Sequence, residues 1–176
     1  MRYRKEKERK FLLREDGIGY TEQPGFGQHY ESEERMVYDV LSNGVHLEQG
    51  YLPLPVALSM IESLDLDLYT LLTQFDLTTE DLAERLIPGQ DDRSFVARLR
   101  RSSEGTYELS LRGNGYEEKP VFEDEVSESL FNDYWDETKG HRVEKLRLTK
   151  RPIFGVRIDW DLLLDRDLMV VEYEVA

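Results

Sequence analysis

Glu6, Glu8 and Lys10 stand two residues apart in the run Glu6-Lys7-Glu8-Arg9-Lys10. Read as a β-strand, this spacing turns all three to one face and sends Phe11 and Leu13 to the other, into apolar packing. Two carboxylates so placed lie ~7 Å apart. That is too far to share a proton, but it suits metal ions with a phosphate chain between them, and the ammonium two residues on is a phosphate anchor. The same arrangement recurs as Arg98/Arg100, Glu123/Glu125, Lys145/Arg147, Arg157/Asp159 and Glu172/Glu174. A merely solvated sheet face would mix signs freely along each strand, whereas several of these strands are nearly pure in sign. If such a sheet closes into a barrel, the charges share one lumen. Arginine forks would take phosphate oxygens there and carboxylates would take Mg2+ or Mn2+, hard ions that prefer oxygen. Interior charge without such a ligand would be costly to desolvate.

The elements that must position these residues are legible in the hydrophobic periods. Residues 16–29 hold Gly17, Gly19, Gly25 and Gly27 in neither a P-loop nor a dinucleotide spacing, and read as a loop. Ser32 can cap a helix with the stripe Met36, Val37, Val40, Leu41, stopped at Asn43-Gly44, two residues that tolerate the left-handed conformation. A strand over 45–52 follows. Residues 54–87 turn helical: Leu54, Ala57, Leu58, Ile61 and Leu64 with Pro55 in the first turn, a short face of Leu68, Leu71, Leu72 and Phe75, then a capped helix from Thr78 to Ile87. From Ser94 the period returns to two. The strand 95–101, a turn at 102–105 and the strand 106–112 form a hairpin, and a strand over 121–126 follows. Ser127 caps a helix whose Leu130, Phe131, Tyr134 and Trp135 face inward. Strands over 143–149, 153–160 and 169–175 close the chain.

Length and composition bound the function. At 176 residues one domain is expected, with chain enough to bury a core. A formal net charge of −14 opposes general affinity for nucleic acid or an acidic membrane surface. With no cysteine, neither a disulfide framework nor a thiolate metal site is possible. No apolar run spans a membrane and the N-terminus lacks a signal-peptide segment, so a cytoplasmic protein is expected. His29, His46 and His141 have no metal-ligand spacing, and Trp135 and Trp160 sit in apolar patterns that predict core.

In this order the motifs resemble the CYTH superfamily, the triphosphate tunnel metalloenzymes, which include class IV adenylate cyclases, thiamine triphosphatases and inorganic triphosphatases. The resemblance rests on Glu6-x-Glu8-x-Lys10 and Gln49-Gly50-Tyr51-Leu52, then Arg98-Leu99-Arg100, the hairpin to Arg112 and Glu123-Asp124-Glu125. Lys145-Leu146-Arg147, Ile158-Asp159 and Glu172-Tyr173-Glu174 complete it. It implies an α+β fold: an eight-stranded antiparallel closed β-barrel with helices outside, one domain over 1–176 with a helical insertion at about 54–92. Lys10, Arg98, Arg100, Arg112, Lys145 and Arg147 would bind the triphosphate. Glu6, Glu8, Glu123, Glu125, Asp159, Glu172 and Glu174 would hold Mg2+ or Mn2+. Lys10 and Lys145 are the candidates for activating water. Arg112 stands where the family usually has lysine, a planar fork in place of a point charge.

The activity implied is metal-dependent hydrolysis of inorganic triphosphate or a small organic triphosphate, since no base-reading element is evident. A class IV adenylate cyclase and a non-catalytic polyphosphate- or nucleotide-binding module are the alternatives. A homodimer would fit the family.

Overall fold

A computed structural model describes residues 2–13, 33–66, 71, 73, 75, 95–113, 119–152, 154–166 and 168–175, with backbone alone for 2–13, 33–34, 95, 119–120 and 175. The glycine-rich stretch 16–29 with His29, the cap at Ser32, Leu68, Leu72 and the helix expected over 78–87 lie outside these residues. Strands β1 (Arg2–Leu13), β2 (Val45–Leu52), β3 (Phe95–Ser102), β4 (Tyr107–Gly113), β5 (Lys119–Glu125), β6 (Arg142–Lys150), β7 (Val156–Leu163) and β8 (Leu168–Val175) pair antiparallel wherever their register is defined. The helices are α1 (Glu33–Asn43), α2 (Leu54–Ser63) and α3 (Glu128–Trp135), the last followed by a 3-10 turn, Asp136–Thr138. The chain divides into two compact units, Met1–Lys7 with Glu48–Arg142, and Glu8–Leu47 with Val143–Ala176.

In the first unit β4 lies between β3 and β5, and β5 pairs onward with the start of β1. One face of these strands carries Ala97, Leu99, Leu109, Leu111 and Phe122, all buried against Ala57, Met60 and Ile61 of α2 and Phe131 and Trp135 of α3; Leu71 and Phe75 join the same core. Because side chains alternate, fixing the leucines on this face fixes Arg98, Arg100, Ser110 and Arg112 on the other. The cap of α3 is as the sequence implies: the Ser127 hydroxyl accepts from the Leu130 N–H at 3.2 Å. Trp135 is core and is covered by the guanidinium of Arg142, 4.3 Å from its ring centre.

In the second unit β7 lies between β6 and β8. Leu162 and Met169 pack with Met36 and Val40 of α1, and Leu146, Leu148 and Trp160 lie against them. The stop of α1 falls where expected but for a different reason. Among the described residues Asp65, Gly105, Gly140 and Gly155 have positive φ, and Gly44 does not. Gly44 donates its N–H to the Val40 carbonyl at 2.8 Å, and a Cβ there would sit 2.4 Å from that same oxygen. Close approach, not handedness, requires the glycine. The last expected strands shift as well: β7 runs three residues beyond Trp160, which brings Asp161 into the sheet.

Candidate functional site

Each unit gathers charge on the strand face opposite its core. In the first, β3, β4 and β5 set Arg98, Ser110 and Glu123 in one register row, and Arg100, Glu108 and Glu125 in the next. Arg98 is 8% exposed, its Nε donating to the Ser110 hydroxyl at 3.1 Å, while its Nη2 is buried with no hydrogen-bond acceptor among the described residues. Glu123 Oε1 lies 4.0 Å from Nη2, and Arg112 Nη2 approaches that oxygen to 3.8 Å. Arg100 Nη2 donates to Glu108 Oε1 at 2.6 Å. Burial, then repulsion from Arg112 and Arg100, lowers the Arg98 pKa to about 10. Three guanidiniums thus share a face with Glu108 and Glu123, while Glu125 is exposed.

Gln49 and Tyr51 belong to this face. Arg101 is held by Glu48 through two bonds of 3.0 and 2.7 Å. Alternation then places Gln49 and Tyr51 on the side of β2 shared with Arg98 and Arg100. Gln49 is buried and donates to the Tyr51 hydroxyl at 3.0 Å. Gly50, on the Glu48 side, packs so closely on Thr138 that a Cβ would meet its side chain at 2.4 Å.

The second unit binds its charges to one another. Lys145 Nζ donates to Asp161 Oδ2 at 2.5 Å. Arg147 donates from Nε to Asp161 Oδ1 at 2.6 Å, from Nη2 to Asp161 Oδ2 at 2.5 Å and Glu172 Oε2 at 3.0 Å, and from Nη1 to Asp159 Oδ2 at 2.7 Å. Asp159 also accepts from the Thr149 hydroxyl at 2.6 Å and from Arg157 Nε at 3.0 Å. Arg157 Nη1 lies 3.6 Å from Glu174. Burial and then Arg147 lower the Lys145 pKa to about 8, a shift that the Asp161 carboxylate offsets only in part. Burial acts to lower Arg147 too, but Asp161, Asp159 and Glu172 outweigh it and its pKa lies above the ordinary value.

The expected site residues therefore fall into two groups: Arg98, Arg100, Arg112, Glu123 and the exposed Glu125 in one unit, Lys145, Arg147, Asp159, Glu172 and Glu174 in the other. Glu6, Glu8 and Lys10 are in β1, with Glu6 opposite Lys119 in backbone register; their side chains lie outside the described part. Cross-strand partners are mixed: Arg147 faces Asp161 and Arg157 faces Glu174, whereas Asp159 faces Glu172 and Glu108 faces Glu125. Asp161, 2% exposed and shared by Lys145 and Arg147, is the residue that sequence reasoning missed. The alternation Arg157, Asp159, Asp161 would have shown it had the strand been read past Trp160.

Carboxylate oxygens are the right donors for Mg2+ or Mn2+. Among the described residues, however, no three acids or histidines gather as a metal group. Asp159, Asp161 and Glu172 are instead each taken by a cation. His46 bonds Glu144 at 2.7 Å, and His141 is exposed. No helix among the described residues is long and apolar enough to cross a membrane.

No protein-family model and no curated protein matches the sequence. Solved structures do. PH1012 from Pyrococcus horikoshii OT3 is 13% identical over 97% of this chain and 78% of its own, with a TM-score of 0.52. The inorganic triphosphatase NE1496 is 22% identical over 96% of this chain and 72% of its own, with a TM-score of 0.41. A proposed adenylate cyclase (bh2851) from Bacillus halodurans is 10% identical over 99% and 82%, with a TM-score of 0.49. The likeness is one of fold, carried by the Pyrococcus protein.

Proposed function

We propose that this protein is a divalent-metal-dependent hydrolase of a triphosphate, inorganic or small and organic, acting within the closed eight-stranded barrel that the family resemblance implies. The observation that carries this reading is Arg98. A guanidinium this buried, with one nitrogen lacking an acceptor and two further arginines on its face, is costly unless an anion completes it. Phosphate oxygens meet that need as planar, multiply accepting partners. Arg98, Arg100 and Arg112 would grip the phosphate chain, and Lys10 and Arg147 would add to the grip. Lys145, with a pKa of about 8, can hold or release a proton at Nζ in mildly alkaline solution, and we assign it the activation of water, with Lys10 the alternative. Hydrolysis of this kind depends on positioning and charge neutralisation more than on covalent help. Dependence on Mg2+ or Mn2+ is part of the proposal and rests on Glu6, Glu8, Glu123, Glu125, Asp159, Glu172 and Glu174.

The test is phosphate release from tripolyphosphate at alkaline pH with Mg2+ or Mn2+, beside ATP analysed for cyclic AMP and pyrophosphate. Metal-dependent release, reduced about 100-fold in Arg98→Met, is the expected result. Cyclic AMP with pyrophosphate would replace hydrolase with cyclase. Tight tripolyphosphate binding without turnover would leave a binding module.

A further inference from the structure

The Asp161 carboxylate sits where a ligand anion would be expected to sit. Its two oxygens take Lys145 Nζ and both Nε and Nη2 of Arg147, all within 2.6 Å, in a position 2% exposed to solvent. That is the fork-to-fork geometry by which a guanidinium holds a carboxylate or a phosphate. Around it, among the described residues, Lys145, Arg147 and Arg157 face Asp159, Asp161, Glu172 and Glu174, so cations are outnumbered there. Among the described residues Arg98 Nη2 has no such hydrogen-bond acceptor, Glu123 Oε1 lying 4.0 Å away. We propose that Asp161 is a built-in counter-anion, which occupies Lys145 and two nitrogens of Arg147 and thereby limits how tightly those two cations grip a bound phosphate chain. The inference rests on the triphosphate reading above and adds a specificity- and turnover-setting residue to it.

The physical argument is one of competition. A phosphate oxygen approaching Lys145 or Arg147 needs donors that the Asp161 oxygens already hold, and meets a like charge in a poorly screened position. Replacing the carboxylate by an amide keeps the shape and removes the charge. Binding of the phosphate chain should then tighten, and release of product from the same cations should slow.

The experiment is titration calorimetry of inorganic tripolyphosphate with Mg2+ into the full chain and its Asp161→Asn and Asp161→Glu variants, with steady-state kinetics on the same samples. Asp161→Asn should bind about tenfold more tightly and show a lower KM together with a lower kcat. Asp161→Glu, keeping the charge, should stay near the parent. A purely structural Asp161 predicts the opposite: Asn weakens binding. Unchanged or weaker binding in Asp161→Asn, with the parent still binding and hydrolysing tripolyphosphate, overturns the counter-anion and leaves the triphosphate reading intact. Absence of both binding and hydrolysis in the parent and the variant overturns both. Should Asp161→Asn not melt cooperatively, the change is made in a Lys145→Met background, which removes the buried pair together. Tighter binding than Lys145→Met alone supports the proposal, and equal or weaker binding overturns it.

Discussion

Arg98 and Arg147 are the same residue type, each on a β-strand, each nearly buried, and each backed by a leucine-rich face; they differ in what surrounds the guanidinium. Arg147 has an acceptor for every nitrogen, supplied by Asp159, Asp161 and Glu172. Arg98 has Ser110 for Nε, a carboxylate oxygen 4.0 Å from Nη2, and two like charges on its own face. Burial lowers the pKa of one, and carboxylates raise that of the other. The lesson is that a buried arginine satisfied within the protein contributes to stability whether or not a ligand is bound, whereas one left short of acceptors is poised for a ligand.

Substitution breaks the comparison most sharply at Arg147. Arg147→Met strands Asp159 and Asp161 without their main cation and should cost about 3–5 kcal/mol of stability, read by denaturant unfolding. Arg98→Met should do the reverse, losing about 100-fold in kcat/KM on tripolyphosphate while stability moves by less than about 1 kcal/mol. If instead Arg98→Met unfolds the protein and Arg147→Met leaves it stable, the assignment of roles is inverted.

A smaller effect tests the scaffold of the first unit alone. A Cβ at Gly50 would press on Thr138, whose hydroxyl accepts from Arg142 Nε at 2.8 Å. Gly50→Ala should therefore destabilise by about 1–3 kcal/mol, and a melting temperature equal to the parent's would refute that contact. A further effect concerns pH. Lys145 holds its proton less tightly in the folded chain, with a pKa of about 8, than at the ordinary value of 10.5. Between these values the unfolded chain binds more protons, so stability should rise with pH across that window. The slope should vanish in Lys145→Met, and a slope of equal size in both chains would remove Lys145 as its source.

Much of this was open to reading in the chain itself. Alternation assigned Arg98 and Arg100 to one face and Leu99 to the other, and the cap at Ser127 and the core placement of Trp135 followed from local chemistry. The reason for Gly44 did not, because the carbonyl that a Cβ would strike becomes a neighbour only once α1 has wound back on itself. The closed eight-stranded barrel is what the family resemblance implies; the antiparallel sheet with its few helices is what the fold displays. Asp161 lies just past Trp160, where the expected strand stops, and pairing with β6 and β8 carries β7 on through it.

By itself the sequence determined which side chains share a face of each strand, since that depends on a period of two and on nothing distant. The tertiary structure alone decided which opposite charge each of them meets. That depends on strand order and register, so Arg98 faces the uncharged Ser110 on β4, whereas Arg147 faces the Asp161 carboxylate on β7. The energy of a buried charge is set by the partner it meets, and neighbours along the chain do not specify that partner.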